Sequence, residues 1–163
     1  MNDFIGQTVK EVKLNIKSGP GPKLGKKQKK KRVRDTVRQG ETSEMIFSYK
    51  ALTEHNLVVS YPMVTTDYDL VIENSDGVLK KIQVKSSTKG DGNVNICKGT
   101  SSNGGTGKYV YPEDAVDYFA VHDIVYDTWY MIPRSVTGDK MSLRISLKKD
   151  GVYTPYKEDW SFV

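Results

Sequence analysis

One cysteine, Cys97, stands among the 163 residues, so no disulfide can close within the chain. With no CxxC pair and no Cys/His cluster, the usual structural zinc sites are excluded too, and Cys97 reads as a packing or loop residue. Histidine is nearly as scarce. His55 and His122 lie far apart, with no metal-ligand spacing, and each reads as a surface or core histidine. No apolar run approaches the ~20 residues of a membrane-spanning helix. The opening "MNDFIGQTVKEVK" lacks the basic start and apolar stretch of a secretory signal, so the expected location is intracellular and cytoplasmic. "SSNGGTGKYVY" has a Gly-Lys pair, but Tyr109 follows Lys108 where a phosphate-binding P-loop needs Ser or Thr, and residues 100–108 read as a flexible loop.

What the chain does have is positive charge in one place. The net charge is +5. "KLGKKQKKKRVR" holds eight basic residues and no acid: Lys23, Lys26, Lys27, Lys29, Lys30, Lys31, Arg32 and Arg34. Without it, seventeen basic residues face twenty acidic ones, a net of −3. Such a run repels itself and cannot bury an apolar face, and the "SGPGP" before it breaks regular structure. Its natural partner is a polyanion. "VKLNIK" at 12–17 alternates as a short strand would. Residues 1–38 are therefore expected to form an N-terminal extension with a basic arm, and residues 39–163 a compact domain.

Within that domain, "RQGETSEMIFSYKALTEHN" predicts a helix. Thr42 or Ser43 stands at its start, Glu44 on its first turn, and Met45, Ile46, Tyr49, Ala51 and Leu52 at helical spacing. Strands are expected at "LVVSYP", "YDLVIE", "LKKIQVKSS", "VNICK", "VDYFAVHD", "TWYMIP" and "MSLRISL", the last three completing a single mixed sheet with few helices. The tyrosines of "YVYPED" and "IVYDTWYMI" read mainly as strand packing. Lys98 and Lys108, flanking the Gly-rich loop, are candidates for contact with a DNA backbone.

The turn "NSDG" decides where the polar residues of its two strands go. A three-residue loop of Ser75, Asp76 and Gly77 pairs Asn74 with Val78 and sets Asp69 opposite Gln83. Asp69, Gln83 and Lys85 then share one face and Val84 takes the other. A two-residue Asp76-Gly77 turn would set Asp69 opposite Val84 instead, away from Gln83. In the first register the oxygens of Asp69, the Val84 carbonyl and the Gln83 side chain suit a hard cation such as magnesium. Lys85 would then orient water or stabilise charge developing on a phosphate. That set of groups suits phosphodiester hydrolysis.

The order Glu44, Asp69, Gln83-Val84-Lys85, carried by "GETSE", "YDLVI" and "IQVKSS", resembles the PD-(D/E)XK nuclease superfamily. It looks most like the intron-encoded homing endonucleases and related phage and bacterial proteins that have Gln where the usual motif has a carboxylate. The match covers roughly Gly40 to Pro133. The resemblance implies an α/β fold of restriction-endonuclease type, a central mixed sheet flanked by helices. It implies Asp69 as central metal ligand, Lys85 as catalytic lysine, Glu44 as an outer or direct ligand, and Gln83 as a neutral ligand. It also implies magnesium, with manganese able to substitute, DNA as substrate, a homodimer or homotetramer, and a phage or mobile-element setting. No literal Pro-Asp pair is present, since Pro62 lies seven residues before Asp69. Asp67 is a spare carboxylate on the same face. A Holliday junction resolvase would share this site, and a degenerate DNA-binding scaffold would share the fold.

Overall fold

The computed structural model describes residues 35–99, 107–145 and 151–161. They belong to a compact unit spanning Val33–Val163. The expected strand at 12–17 and the basic arm at 23–34 lie outside the described residues. So does most of the Gly-rich loop, whose base is held by antiparallel backbone bonds between Lys98 and Tyr109 at 2.8 and 3.0 Å.

Helix α1 (Asp35–Glu54) is followed by β1 (Val58–Ser60), β2 (Leu70–Glu73), β3 (Leu79–Ser87) and β4 (Asn93–Asn95). Next come β5 (Tyr118–Asp123), β6 (Thr128–Pro133), the one-turn α2 (Arg134–Thr137) and β7 (Ser142–Arg144). The main sheet has the order β1-β2-β3-β5-β6. Only β3 and β5 pair in parallel, which makes the sheet mixed, as expected. One expectation fails here. β7 does not join that sheet but pairs with β4 in a separate two-stranded one. The cause is the crossover that a parallel β3–β5 pair requires: β4 lies within it and leaves an edge for β7.

The helix also departs from expectation at its start. It begins at Asp35, so Glu44 sits mid-helix and not on the first turn. Thr42 and Ser43, expected at the helix start, lie inside the helix, as does Gly40. Instead of capping a backbone N–H, the Ser43 hydroxyl reaches 3.2 Å across to Nδ1 of His122 on β5. Tertiary partnering thus overrides a local signal worth about 1 kcal/mol. At the other end Asn56 takes φ 54°, which turns the Leu57 N–H back onto the Ala51 carbonyl at 2.9 Å. Of the apolar positions expected on one stripe, Ala51 is buried and Ile46 packs on the core, whereas Met45, Tyr49 and Leu52 are exposed. The stripe that faces the sheet is Ser43, Phe47, Ala51.

Each face of the main sheet has its own core. Under α1, Phe47 and Ala51 meet Leu70, Ile72, Ile82, Val84, Ala120, Trp129 and Met131. On the opposite face Phe119, Val121, Tyr130 and Ile132 meet Val94, Ile96, Leu143 and Ile145 of the small sheet and its flanks. The free edge of β6 is closed by Glu158, whose carboxylate accepts the Trp129 N–H at 2.6 Å and whose N–H reaches the Trp129 carbonyl at 2.8 Å.

Phe47 is fully buried and packs edge-on to Trp129 with centroids 5.5 Å apart. Phe47→Ala is expected to lower unfolding free energy by about 3–5 kcal/mol in urea titrations. A loss below ~1 kcal/mol would mean that α1 does not seal this face.

Candidate active site

The β2–β3 hairpin decides the site. Leu70 pairs with Ile82 and Glu73 with Leu79, a register that carries Asp69 opposite Gln83. Gly77 at φ 75° closes the three-residue loop, and the Asn74 side chain accepts the Asp76 and Val78 N–H groups at 3.0 and 2.9 Å. Ile82 and Val84 point into the core beneath α1, so Asp69, Gln83 and Lys85 share the other face.

The side chains engage one another directly. The Gln83 amide donates to Asp69 and, at 3.4 Å, to the Val84 carbonyl; the Val84 N–H donates to Asp69 Oδ2 at 2.8 Å. A donor therefore lies between two oxygens, the Asp69 carboxylate and the Val84 carbonyl. Rotating that amide presents its own oxygen to the same place, giving three hard oxygen donors of the kind magnesium and manganese take. Among the described residues no group of three or more His, Cys, Asp or Glu side chains forms a metal cluster. Any cation here would depend on amide and carbonyl oxygens as well as carboxylates.

Glu44, Asp69, Gln83, Val84 and Lys85 all line one open cleft of about 660 Å³, with residues of the N-terminal half of α1 on one wall and the end of β3 with the following Thr88 and Lys89 on another. The Gln39 amide donates to Ser86 at 2.8 Å and ties the two walls together. Burial raises the Glu44 carboxyl to about 7, with the charges of Asp69 and Glu41 adding to the effect and Lys85 opposing it. Burial also raises Asp69, against the pull of the Val84 N–H, Lys85 and Gln83. The same desolvation lowers the Lys85 ammonium, while Asp69 and Glu44 act to keep it charged. Two half-buried acids and one lysine are thus held where each feels the others.

The two outlying lysines fare differently. Lys98 forms an ion pair with Asp67, which removes Asp67 as a spare carboxylate and occupies the Lys98 charge. Lys108 is exposed at the base of the Gly-rich loop. Sequence reasoning missed Tyr111, read above as packing. Its hydroxyl lies 3.2 Å from the Lys85 ammonium, and both Lys85 and Lys98 stand over its ring, at 5.5 and 5.8 Å from the centroid. No local pattern marks it, because the crossover that brings it to β3 is a tertiary feature. Also unsignalled, Asp123 and Ser87 pair across β5 and β3, each with a buried oxygen that has no hydrogen-bond partner.

Residues 34–163 match the profile of the PD-(D/E)XK endonuclease family. The chain belongs to that family. Protein 5.3 of Escherichia phage T7 is 33% identical over 93 residues, covering 55% of this chain and 77% of that one. A protein of Trichlorobacter lovleyi named ATP synthase subunit delta is 28% identical over 99 residues. That match spans 60% of this chain and 54% of the other, too little to carry its role across. Among solved structures, the bacterial homing endonuclease I-Ssp6803I superposes with a TM-score of 0.66 at 20% identity, over 78% of this chain and 91% of that one. At that identity the likeness shows a shared fold, and it agrees with the α/β architecture of restriction-endonuclease type. No helix of the described residues is long and apolar enough to cross a membrane.

The electrostatics predict a pH dependence. Between the ordinary Glu44 value of 4.5 and about 7, the folded protein retains a proton that the unfolded chain releases. Stability from this group therefore falls as pH rises through that window. With EDTA present, the melting temperature is expected to be lower at pH 8 than at pH 5, with a smaller difference in Glu44→Gln. An equal difference in both proteins would show that Glu44 is not so placed.

Proposed function

We propose that this PD-(D/E)XK family member is a metal-dependent DNA endonuclease that hydrolyses phosphodiester bonds and, as a homing-type enzyme, makes site-specific double-strand breaks. The observation that carries the proposal is the convergence of Asp69, Gln83 and Lys85 on one strand face, with Glu44 on the facing cleft wall. Asp69, the Val84 carbonyl and the Gln83 amide oxygen would hold the cation, magnesium or in its place manganese, with Glu44 as a further ligand. When bound, such an ion supplies Lewis acidity at the phosphate and lowers the pKa of water.

The protein's own groups do the rest. Lys85 sets a positive charge beside the place where the phosphate gains negative charge, and partial burial makes that charge count for more than it would in water. Burial and the Asp69 charge raise Glu44 to about 7 when the site holds no cation, and a bound cation would favour its ionised, ligating form. Because Gln83 is neutral, the ligand set carries one negative charge fewer than a set with two acids on the hairpin, and weaker cation binding is expected.

DNA affinity would come largely from the basic arm, Lys23 to Arg34, and from Lys108. Lys98 would contribute only by exchanging its Asp67 partner. A double-strand cut needs two sites while this chain carries one, so a homodimer or homotetramer is part of the reading. The homing endonuclease with the shared fold and the T7 relative favour a phage or mobile-element setting.

Cleavage of supercoiled plasmid and of a four-way junction, with magnesium or manganese against EDTA, tests the site. The wild type is expected to cut only with metal, and Asp69→Ala and Lys85→Ala to lose about 10²-fold or more. If both variants cut like wild type, the hairpin is not the catalytic site. Preference for the junction would replace homing with junction resolution. Replacing the eight basic residues of the arm with Gln is expected to reduce the slope of log affinity against log salt by up to about 7.

A further inference from the structure

We infer that Tyr111 is a positioning residue for Lys85: its hydroxyl and ring fix the lysine ammonium, and the buried guanidinium of Arg134 fixes Tyr111 in turn. The catalytic consequence rests on the nuclease reading above; the placement of Lys85 does not.

A lysine ammonium rides on a flexible four-carbon stem with many rotamers, so a productive position must be imposed from outside. Tyr111 can impose one. It is 5% exposed, stacks edge-on against Phe119 at 5.4 Å, and Phe119 is the β5 residue paired with Gln83. The ring is thus seated on β5 beside β3, and its hydroxyl meets the Lys85 ammonium at 3.2 Å. Burial and the charges of Asp69 and Asp67 push the tyrosine pKa up, so the hydroxyl stays neutral and able to accept the lysine's hydrogen bond.

The backbone of Tyr111 is clamped just as firmly. Arg134 Nε and Nη2 both donate to the Tyr111 carbonyl, at 3.2 and 2.6 Å. Its Nη1 donates to the Gly138 carbonyl at 2.7 Å and the Thr137 hydroxyl at 3.3 Å. All of these acceptors are neutral. Burying a guanidinium against neutral acceptors is costly, and a mere loop tie could be made by an uncharged donor. The clamp makes sense if the position of Tyr111 matters beyond packing. Lys98 also approaches the Tyr111 ring, at 5.8 Å from its centroid, and is paired with Asp67.

Tyr111→Phe keeps the ring and the carbonyl clamped by Arg134 and removes only the hydroxyl. Single-turnover cleavage is expected to slow by about tenfold to a hundredfold, with KM within about twofold and the unfolding transition unmoved. A crystal structure of the variant is expected to show the Lys85 ammonium displaced or split between rotamers. If wild type cuts no DNA yet Lys85 moves in the variant, the nuclease reading fails and the positioning role stands. Lys85 remaining in place in the variant overturns the inference. So does an unchanged rate in a protein that Lys85→Ala inactivates.

Discussion

The pairing of β2 with β3 is the constraint on which this protein's site depends. Side chains alternate along a strand, so a slip of one residue would turn Gln83 and Lys85 into the core beneath α1 and move the Val84 side chain out of that core to the opposite face. Two features prevent it. Gly77 adopts the positive φ that closes a three-residue loop, and Asn74 holds that loop from its own side chain. The apolar partners Leu70, Ile72, Ile82 and Val84 are buried together on the other face, so any slip would also expose core. Turn chemistry and burial therefore favour the same register.

Given that register, the site holds like and unlike charges at partial burial without letting them cancel. Asp69 is satisfied by the Val84 N–H and the Gln83 amide, and still feels Lys85. Glu44 approaches from α1, where burial and the Asp69 charge together raise it to about 7. On the proposed nuclease reading, the penalties on both acids and on the lysine would be relieved when a cation and a phosphate arrive. Stability is given up locally in exchange for a site already organised before its ligands bind.

The surrounding fold supplies the rigidity. α1 seals one sheet face with Phe47 and Ala51, and Ser43 reaches His122, which stacks on Trp129 at 4.3 Å. On the other face the small β4–β7 sheet covers Phe119 and Val121, and the crossover between β3 and β5 carries Tyr111 to the lysine. The helix that presents Glu44 and the loop that presents Tyr111 are thus parts of two separate cores, with β3 between them.

The sequence alone was sufficient for every strand of the main sheet, for the three-residue loop as one of two registers, and for proposing Glu44, Asp69, Gln83 and Lys85, which line one cleft. Period-two alternation and turn residues are local signals, and the order of acids and lysine along the chain is legible in one dimension. It was not sufficient for the start of α1, for which of its sides faces the sheet, for the separation of β7 from the main sheet, or for the ion pair that occupies Asp67 and Lys98. Those depended on contacts between residues far apart in the chain, such as Ser43 with His122 and Arg134 with Tyr111, where partnering in space outweighs a local propensity of about 1 kcal/mol. What the sequence determined was the set of groups and the strands that bear them; only the tertiary structure decided which neighbours hold those groups in place, because the neighbours arrive through crossovers that leave no periodic trace.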